Sequence, residues 1–259
     1  MLPNNSILYY EDFKYEESSE LKAFVDSWKA HEFLKNIWQP IILVLGWDGS
    51  MLAAIHKHYE KKMPFLGINF WNAWFLLNDK SVMWESEFVT QKFPLISAEL
   101  CIGKKQMTKF VALNEIDIRS ARGRVLELNV EISQSGTLSL LWDGIVISTP
   151  AGSTAYNRSL WGPIIPHGIE AFVMTPKAPI HPRGQTSVIL QDDKTLQIHN
   201  TGRKNMFHIY GDGKEILWDS EENISLTLKK SDINVEFLIG KTYQSEWNNK
   251  VMKEQGLQI

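Results

Sequence analysis

Residues 41–49 read IILVLGWDG: five apolar residues followed at once by Gly46, Trp47, Asp48 and Gly49. An unbroken apolar run of this length is a strand buried on both faces. Ser50–Tyr59 then has helical spacing, with Met51, Leu52 and Ile55 on one face, and Phe65–Ile68 is a second buried strand. Strand, Gly/Asp turn, helix and strand in this order form a βαβ unit of a parallel sheet. The turn matters chemically. A strand-to-helix turn aims backbone N–H groups and the positive end of the helix at one spot, which suits a phosphate. Asp48 cannot bind a phosphate directly, since like charges repel. It fits a base for a hydroxyl nucleophile or a metal-associated carboxylate. A plain Asp-Gly turn is the bland alternative.

Working outward, Ser6–Tyr10 is a short strand and Glu17–Leu34 an amphipathic helix. Beyond Pro94 the pattern changes. Short β-type runs recur at 95–102, 107–113, 125–133, 137–141, 144–148, 170–174, 187–190, 195–199, 206–210, 224–229 and 234–239. Turn residues separate most of them, the signature of an all-β domain. One helix starts near Ser153, where Ser153 and Thr154 are good N-cap residues. The expected organisation is an α/β domain over 1–94, a β-rich domain over 95–240 and a polar tail over 241–259 that folds back on the first domain.

Composition narrows the function. The chain has 259 residues, 27 basic and 30 acidic side chains and a net charge of −3, so neither nucleic acid nor an anionic membrane is the expected partner. A polyanionic ligand must be held by local donors. Cys101 is the only cysteine, which excludes an internal disulfide and a cysteine zinc cluster. No apolar stretch approaches the length of a membrane span. The start, MLPNNSILYYEDF, lacks a basic region followed by a long apolar one, so a reducing cytoplasm is expected.

Four segments carry the chemistry: GWDGS at 46–50, GINFWNAWFL at 67–76, LNEIDI at 113–118 and WDGIVISTPAGSTAYNRSLWGPI at 142–164. The last joins an Asp-Gly turn, a buried strand, a Gly/Ser/Thr loop and a helix start, and can present hydroxyl and N–H donors to a ribose or diphosphate. A capped helix is its structural alternative, and a turn or solvated strand end is that of Asn114-Glu115. His56 and His58 lie two apart on a helix and share no face, so packing is their expected role.

Taken together, the segments resemble the NAD kinase family, which carries GGDG, GINxGxxGFL, NE or ND, and GDGxxxSTPTGSTAYxxSxGGP in this order. The resemblance runs from about residue 40 to 240, and STPAGSTAY at 148–156 is its most specific part. It implies an N-terminal Rossmann-like α/β nucleotide-binding domain, a C-terminal β-sandwich-like domain and an active site between them. It implies phosphorylation of NAD at the 2′-hydroxyl of its adenosine ribose, giving NADP. Asp48 would be catalytic, and Gly46, Trp47 and Gly49 would form the ATP phosphate loop. Asp48, Gly49, Asn114 and Glu115 would touch NAD. Thr154, Ala155, Tyr156, Asn157, Arg158 and Ser159 would line the dinucleotide site. Alignment from Asn114 adds Arg124, then Asp143, Ala178 and Lys214. ATP with a divalent cation, magnesium, is implied as phosphate donor, without a dedicated protein metal site, as is a homodimer or homotetramer. Diacylglycerol and sphingosine kinases share a version of the first loop and are the rival enzyme class, but give no reason for Asn114-Glu115 or the TAY segment.

One departure is systematic. Trp47, Trp71, Trp74, Trp142 and Trp161 stand where the family pattern has glycine, and Trp218, ahead of Asp219 in an expected turn, is a sixth candidate. Indoles there should crowd the phosphate and dinucleotide loops. Decay scatters glycine to many residue types. Repeated Gly-to-Trp exchange follows instead if UGA codons meaning glycine were translated as tryptophan. The alternative is a degenerate paralogue, an inactive fold or NAD-binding module.

Overall fold

The computed structural model describes residues 5–10, 16, 18–28, 31–71, 75–84, 87–103, 106–121, 125–201, 207–220 and 223–254. The strands are β1 (Ile7–Tyr9), β2 (Ile42–Gly46), β3 (Phe65–Asn69), β4 (Val89–Ile102), β5 (Gln106–Ala112), β6 (Glu115–Ser120), β7 (Leu126–Ile132) and β8 (Gly136–Trp142). They continue with β9 (Gly144–Ser148), β10 (Ala171–Lys177), β11 (Val188–Gln191), β12 (Leu196–Asn200), β13 (Phe207–Gly211), β14 (Lys214–Ser220) and β15 (Ile224–Ile239). The α-helices are α1 (Ser19–Ser27), α2 (Asp48–His58), α3 (Tyr156–Ser159) and α4 (Tyr243–Glu254). The chain forms two compact units, Met1–Phe93 with Val235–Ile259, and Pro94–Asn234.

In the first unit β1, β2 and β3 pair in parallel, and the end of β15 joins β3 in parallel at Phe237 and Phe65. Both β2 and β3 are buried throughout, as unbroken apolar runs require when both faces are covered. Leu43 and Leu45 pack with Leu21 and Phe24 of α1 and with Leu34. Asn78 fastens the sheet end: its side-chain amide donates to the carbonyls of Gly67 and Leu238, and its oxygen accepts from the Gly240 amide at 2.8 Å. The helix expected over 17–34 is shorter. Helix α1 ends at Ser27, and a 3-10 turn covers Glu32–Asn36. The apolar spacing reports a buried face and does not separate one helix from two short ones.

In the second unit two antiparallel layers enclose one core. One layer is the six-stranded sheet β11-β10-β9-β6-β13-β14. The other contains β12, β7 and β8 with the first part of β15, and the hairpin β4–β5. Inward residues alternate along each strand, for example Ile116 and Ile118, Ile145 and Ile147, and Phe172 and Met174. The runs expected at 224–229 and 234–239 are one strand, β15. Strands β6 and β14 were not expected: β6 carries charged side chains on its outward positions, and β14, KEILWDS, lacks a clean apolar alternation. Trp218 lies within β14 rather than in a turn.

Candidate active site

The apolar run ends at Gly46, and α2 begins at Asp48, with Trp47 as its N-cap in extended backbone. Trp47 makes no side-chain capping bond. Asp48 turns its carboxylate onto a neighbouring segment: Oδ2 accepts the Phe75 amide at 2.7 Å and Oδ1 the Leu76 amide at 2.9 Å. The Phe75 carbonyl in turn accepts the hydroxyl of Tyr243 at 2.8 Å. On α4, Tyr243, Trp247 and Lys250 recur at helical spacing on one face, and the first two are buried. Burial pushes Asp48 up to about 6 against the pull of the Leu76 and Phe75 amides and, more weakly, of Lys250. Burial likewise brings Lys250 down to about 8, opposed by Glu246, Asp48 and Asp79. A carboxylate poised just below neutrality is suited to accept a proton from a hydroxyl.

The second group of candidates lies on the outer face of the six-stranded sheet. Strand β6 alternates: Ile116 and Ile118 point into the core, while Glu115, Asp117 and Arg119 share the other face. The turn before it is tied from two sides. Asp212, between β13 and β14, accepts the amides of Leu113 and Asn114 at 2.7 Å and of Glu115 at 3.1 Å. From the other side Thr149 Oγ1 donates to the Leu113 carbonyl and the Thr149 amide to that of Asn114. Two acceptor oxygens, Asn114 Oδ1 and Glu115 Oε2, are left buried and without a donor among the described residues. Leaving such a group unsatisfied costs about 1–3 kcal/mol, so buried acceptors of this kind suit a ligand bringing hydroxyl donors. Glu115 is pushed up to about 8 by burial and then by the charges of Asp212 and Asp117, against Lys177 and the Tyr156 amide.

Beside this pair, a cavity of about 560 Å³ is lined by Asp143, Tyr156, Ser159, Trp161, Lys177 and Ala178, among others. Tyr156 and Ser159 reach it from the single turn α3, which follows a 3-10 turn over Ala151–Thr154. The expected N-cap does not form. Ser153 Oγ donates to the Pro150 carbonyl at 2.7 Å and accepts the Ile165 amide at 2.9 Å, so it ties the loop together.

An NAD kinase of Finegoldia magna is 31% identical over 211 residues, covering 75% of this chain and 77% of the relative. The chain belongs to the NAD kinase family. An NAD kinase of Rickettsia akari is 28% identical over 251 residues, covering 93% of this chain and 95% of its own. The model of the ATP-NAD kinase C-terminal domain matches residues 113–238. An NAD kinase from Archaeoglobus fulgidus in complex with ATP superposes with a TM-score of 0.70 at 21% identity, over 95% of this chain and 97% of that one. Yeast NADH kinase complexed with NADH gives 0.74 at 17%, over 86% and 69%. These two likenesses establish the fold, an α/β domain with a β-sandwich-like domain.

Against the NAD kinase pattern, the structure brings Asp143, Tyr156, Ser159 and Ala178 to one cavity, with Asn114 just ahead of β6 and Glu115 at its first position. Thr154 is buried with its hydroxyl on the Ala151 carbonyl, and Ala155 links the two short helices. Asn157 is fully buried, and its side chain bonds Ser153, Pro163 and Thr175. Arg158 stands 5.7 Å from the Trp161 ring. Lys214 is exposed at the start of β14 and does not line the cavity. Arg124 and Trp74 lie outside the described residues. Sequence reasoning missed Asp117, Lys177 and Asp212. The YGDG run at 210–213 was the available signal for Asp212, a turn acid with free reach; nothing local marked the other two.

The tryptophans separate into distinct cases. Trp161 has φ of 62° and is 86% exposed, a left-handed backbone that favours glycine. Trp47 lays its ring against Gly49, with indole atoms 2.9 Å from where a Cβ on Gly49 would stand, so only glycine fits beneath it. Trp71 is partly buried, and its amide donates to Asn69 Oδ1 at 3.1 Å. Trp142 does not crowd the dinucleotide loop. The alternation of β8 turns it inward with Leu140, where it is 1% exposed in the core, its indole N–H without an acceptor among the described residues.

Proposed function

We propose that this chain transfers the γ-phosphate of ATP to the 2′-hydroxyl of the adenosine ribose of NAD, making NADP. The observation that carries the reading is the pair of buried acceptors, Asn114 Oδ1 and Glu115 Oε2, in a chain of this family. Buried acceptors from two consecutive residues suit a ligand that brings hydroxyl donors, as a ribose does. Tyr156, Ser159, Asp143 and Ala178 line the cavity that would take the rest of the dinucleotide. Asp48 is the base in this reading: its carboxylate, held by two amides and raised by burial, takes the proton as the hydroxyl attacks the γ-phosphorus and ADP leaves with the bridging oxygen. The α2 N-terminus and the backbone of 46–49 offer N–H donors to phosphate. Among the described residues no group of three His, Cys, Asp or Glu side chains is placed to hold a metal. The divalent cation that ATP chemistry needs, magnesium in our reading, would ride on the nucleotide's own phosphate oxygens and neutralise their charge. In this reading the enzyme works in the cytoplasm as a homodimer or homotetramer. No described helix is long and apolar enough to cross a membrane.

A second reading rests on Trp47. An indole packed over Gly49 covers backbone that a phosphate loop needs open, which favours a nucleotide-binding protein without turnover. The test is NADP formation from ATP and NAD, followed with an NADP-specific dehydrogenase, on the chain as given and on a set with Trp47, Trp71, Trp74, Trp142 and Trp161 changed to glycine. NADP made by either supports the kinase. NAD binding without turnover in both supports the second reading, and phosphorylation of diacylglycerol but not NAD overturns both.

A further inference from the structure

The outer face of the six-stranded sheet carries a charge cluster that the assignments above leave unused. Asp117 on β6 is buried, and it bonds two cations at once: Lys177 from β10 on Oδ1, and Arg119 on Oδ2, with Arg119 Nε at 2.8 Å. Lys177 is itself buried. Strand β9 lies between β6 and β10, so the lysine must cross a whole strand to reach its partner. It crosses at Gly144, which pairs with Arg119 on one side and Lys177 on the other. A Cβ at Gly144 would stand 2.9 Å from Lys177 Cδ and 2.4 Å from the Ile118 carbonyl, so the missing side chain is the lysine's path. The ammonium ends 4.5 Å from the ring centre of Tyr156, which lines the cavity.

The groups facing Glu115 are Asp117 on its own strand, Asp212 from the β13–β14 turn, Lys177 from β10 and the Tyr156 amide from α3. With Arg119 included, three carboxylates face two fixed cations. The cluster is neutral when Glu115 holds a proton and carries one excess negative charge when it does not. We infer that Lys177 is a positioning residue: anchored on Asp117, its ammonium lets Glu115 give up its proton and offer Oε2 to the substrate as a pure acceptor. For the identity of that substrate the inference rests on the NAD kinase reading; for the titration it does not. Without Lys177, ionising Glu115 would leave two uncompensated charges in a buried site, and the protonated carboxyl would persist to higher pH. Removing Asp117 has the opposite sign, because a like charge goes while the lysine stays.

The experiment titrates the full chain carrying ¹³C-carboxyl glutamate, without ligand, across neutral and alkaline pH. The Glu115 signal is identified by its loss in Glu115→Gln. Lys177→Met is expected to move the Glu115 midpoint upward by about one pH unit or more. Asp117→Asn is expected to move it downward, and Lys177→Arg, which keeps a cation, to leave it close to the parent. The pH at which the KM for NAD rises should track each midpoint, with kcat little changed. A Lys177→Met titration that overlays the parent overturns the inference, as do Lys177→Met and Asp117→Asn moving the midpoint in the same direction. Absence of NADP formation in the parent and in the glycine-substituted set alike would overturn the kinase reading and leave the titration to decide the role of Lys177.

Discussion

Asp212 accepts the backbone amide of Asn114 at 2.7 Å although 98 residues separate the two in sequence. The same carboxylate holds the amides on either side, so the turn that presents Asn114 and Glu115 is shaped by an acid from a different hairpin. Asp212→Ala removes three charge-assisted bonds and leaves three partly buried N–H groups to find other acceptors. We expect a loss of about 3 kcal/mol in urea unfolding, together with weaker NAD binding. Weaker NAD binding at unchanged stability would show that the clamp orients without stabilising.

How much of this was legible in sequence depends on the reach of each contact. The strand IILVL, the helix after it and the β-rich second half were readable because burial repeats at a local period. The acids at 48 and 115 were legible through their neighbours in the chain. Lys177 and Asp117 were not, because a buried ion pair across three strands leaves no local period. Strand β6 was missed for the same reason: its outward positions are charged and buried at once, which contradicts the simple rule of polar outside and apolar inside.

Asp48→Asn keeps the shape of the side chain and removes its charge. In a protein that turns over, kcat should fall about 10²–10⁴-fold with NAD affinity within a few-fold of the parent. If the ionised form is the working one, turnover should fail as pH drops through about 6, where burial has raised this carboxyl. Lys250→Met removes a cation that favours the ionised form, so this acid limb should move to higher pH. Steady-state rates across pH check both, and a limb that stays in place in Lys250→Met would show that the lysine does not act on Asp48.

Trp161→Gly should stabilise the chain. A left-handed backbone costs an L residue about 1–2 kcal/mol, and the exposed ring returns little burial. After the extra unfolded-state freedom of glycine, a gain of about 0.5–1 kcal/mol is expected in thermal or urea unfolding. Trp142→Gly should do the reverse, at a cost of about 3–5 kcal/mol for an emptied core. The gene supplies the companion measurement: TGA is expected at codons 47, 71, 74, 142 and 161, and TGG there would end the mistranslation reading.

His167 supplies a pH test of stability. Burial lowers it from 6.5 to about 4, so the unfolded chain binds a proton that the folded chain refuses. Its contribution is fully present above pH 6.5 and is lost as pH falls toward 4, where both states are protonated. The loss should reach about 3 kcal/mol, and His167→Gln should flatten that part of the stability profile. An unchanged slope would assign the acid transition to other groups.

Gly144 also bears on how such a sequence can change over generations. Its missing side chain is the corridor through which Lys177 meets Asp117. Bulk at 144 must therefore be absent before a lysine at 177 is tolerable, and once the lysine is in place, regaining that bulk would strand a buried charge. The two positions can be gained or lost only in one order, a historical ratchet set by the width of a single strand.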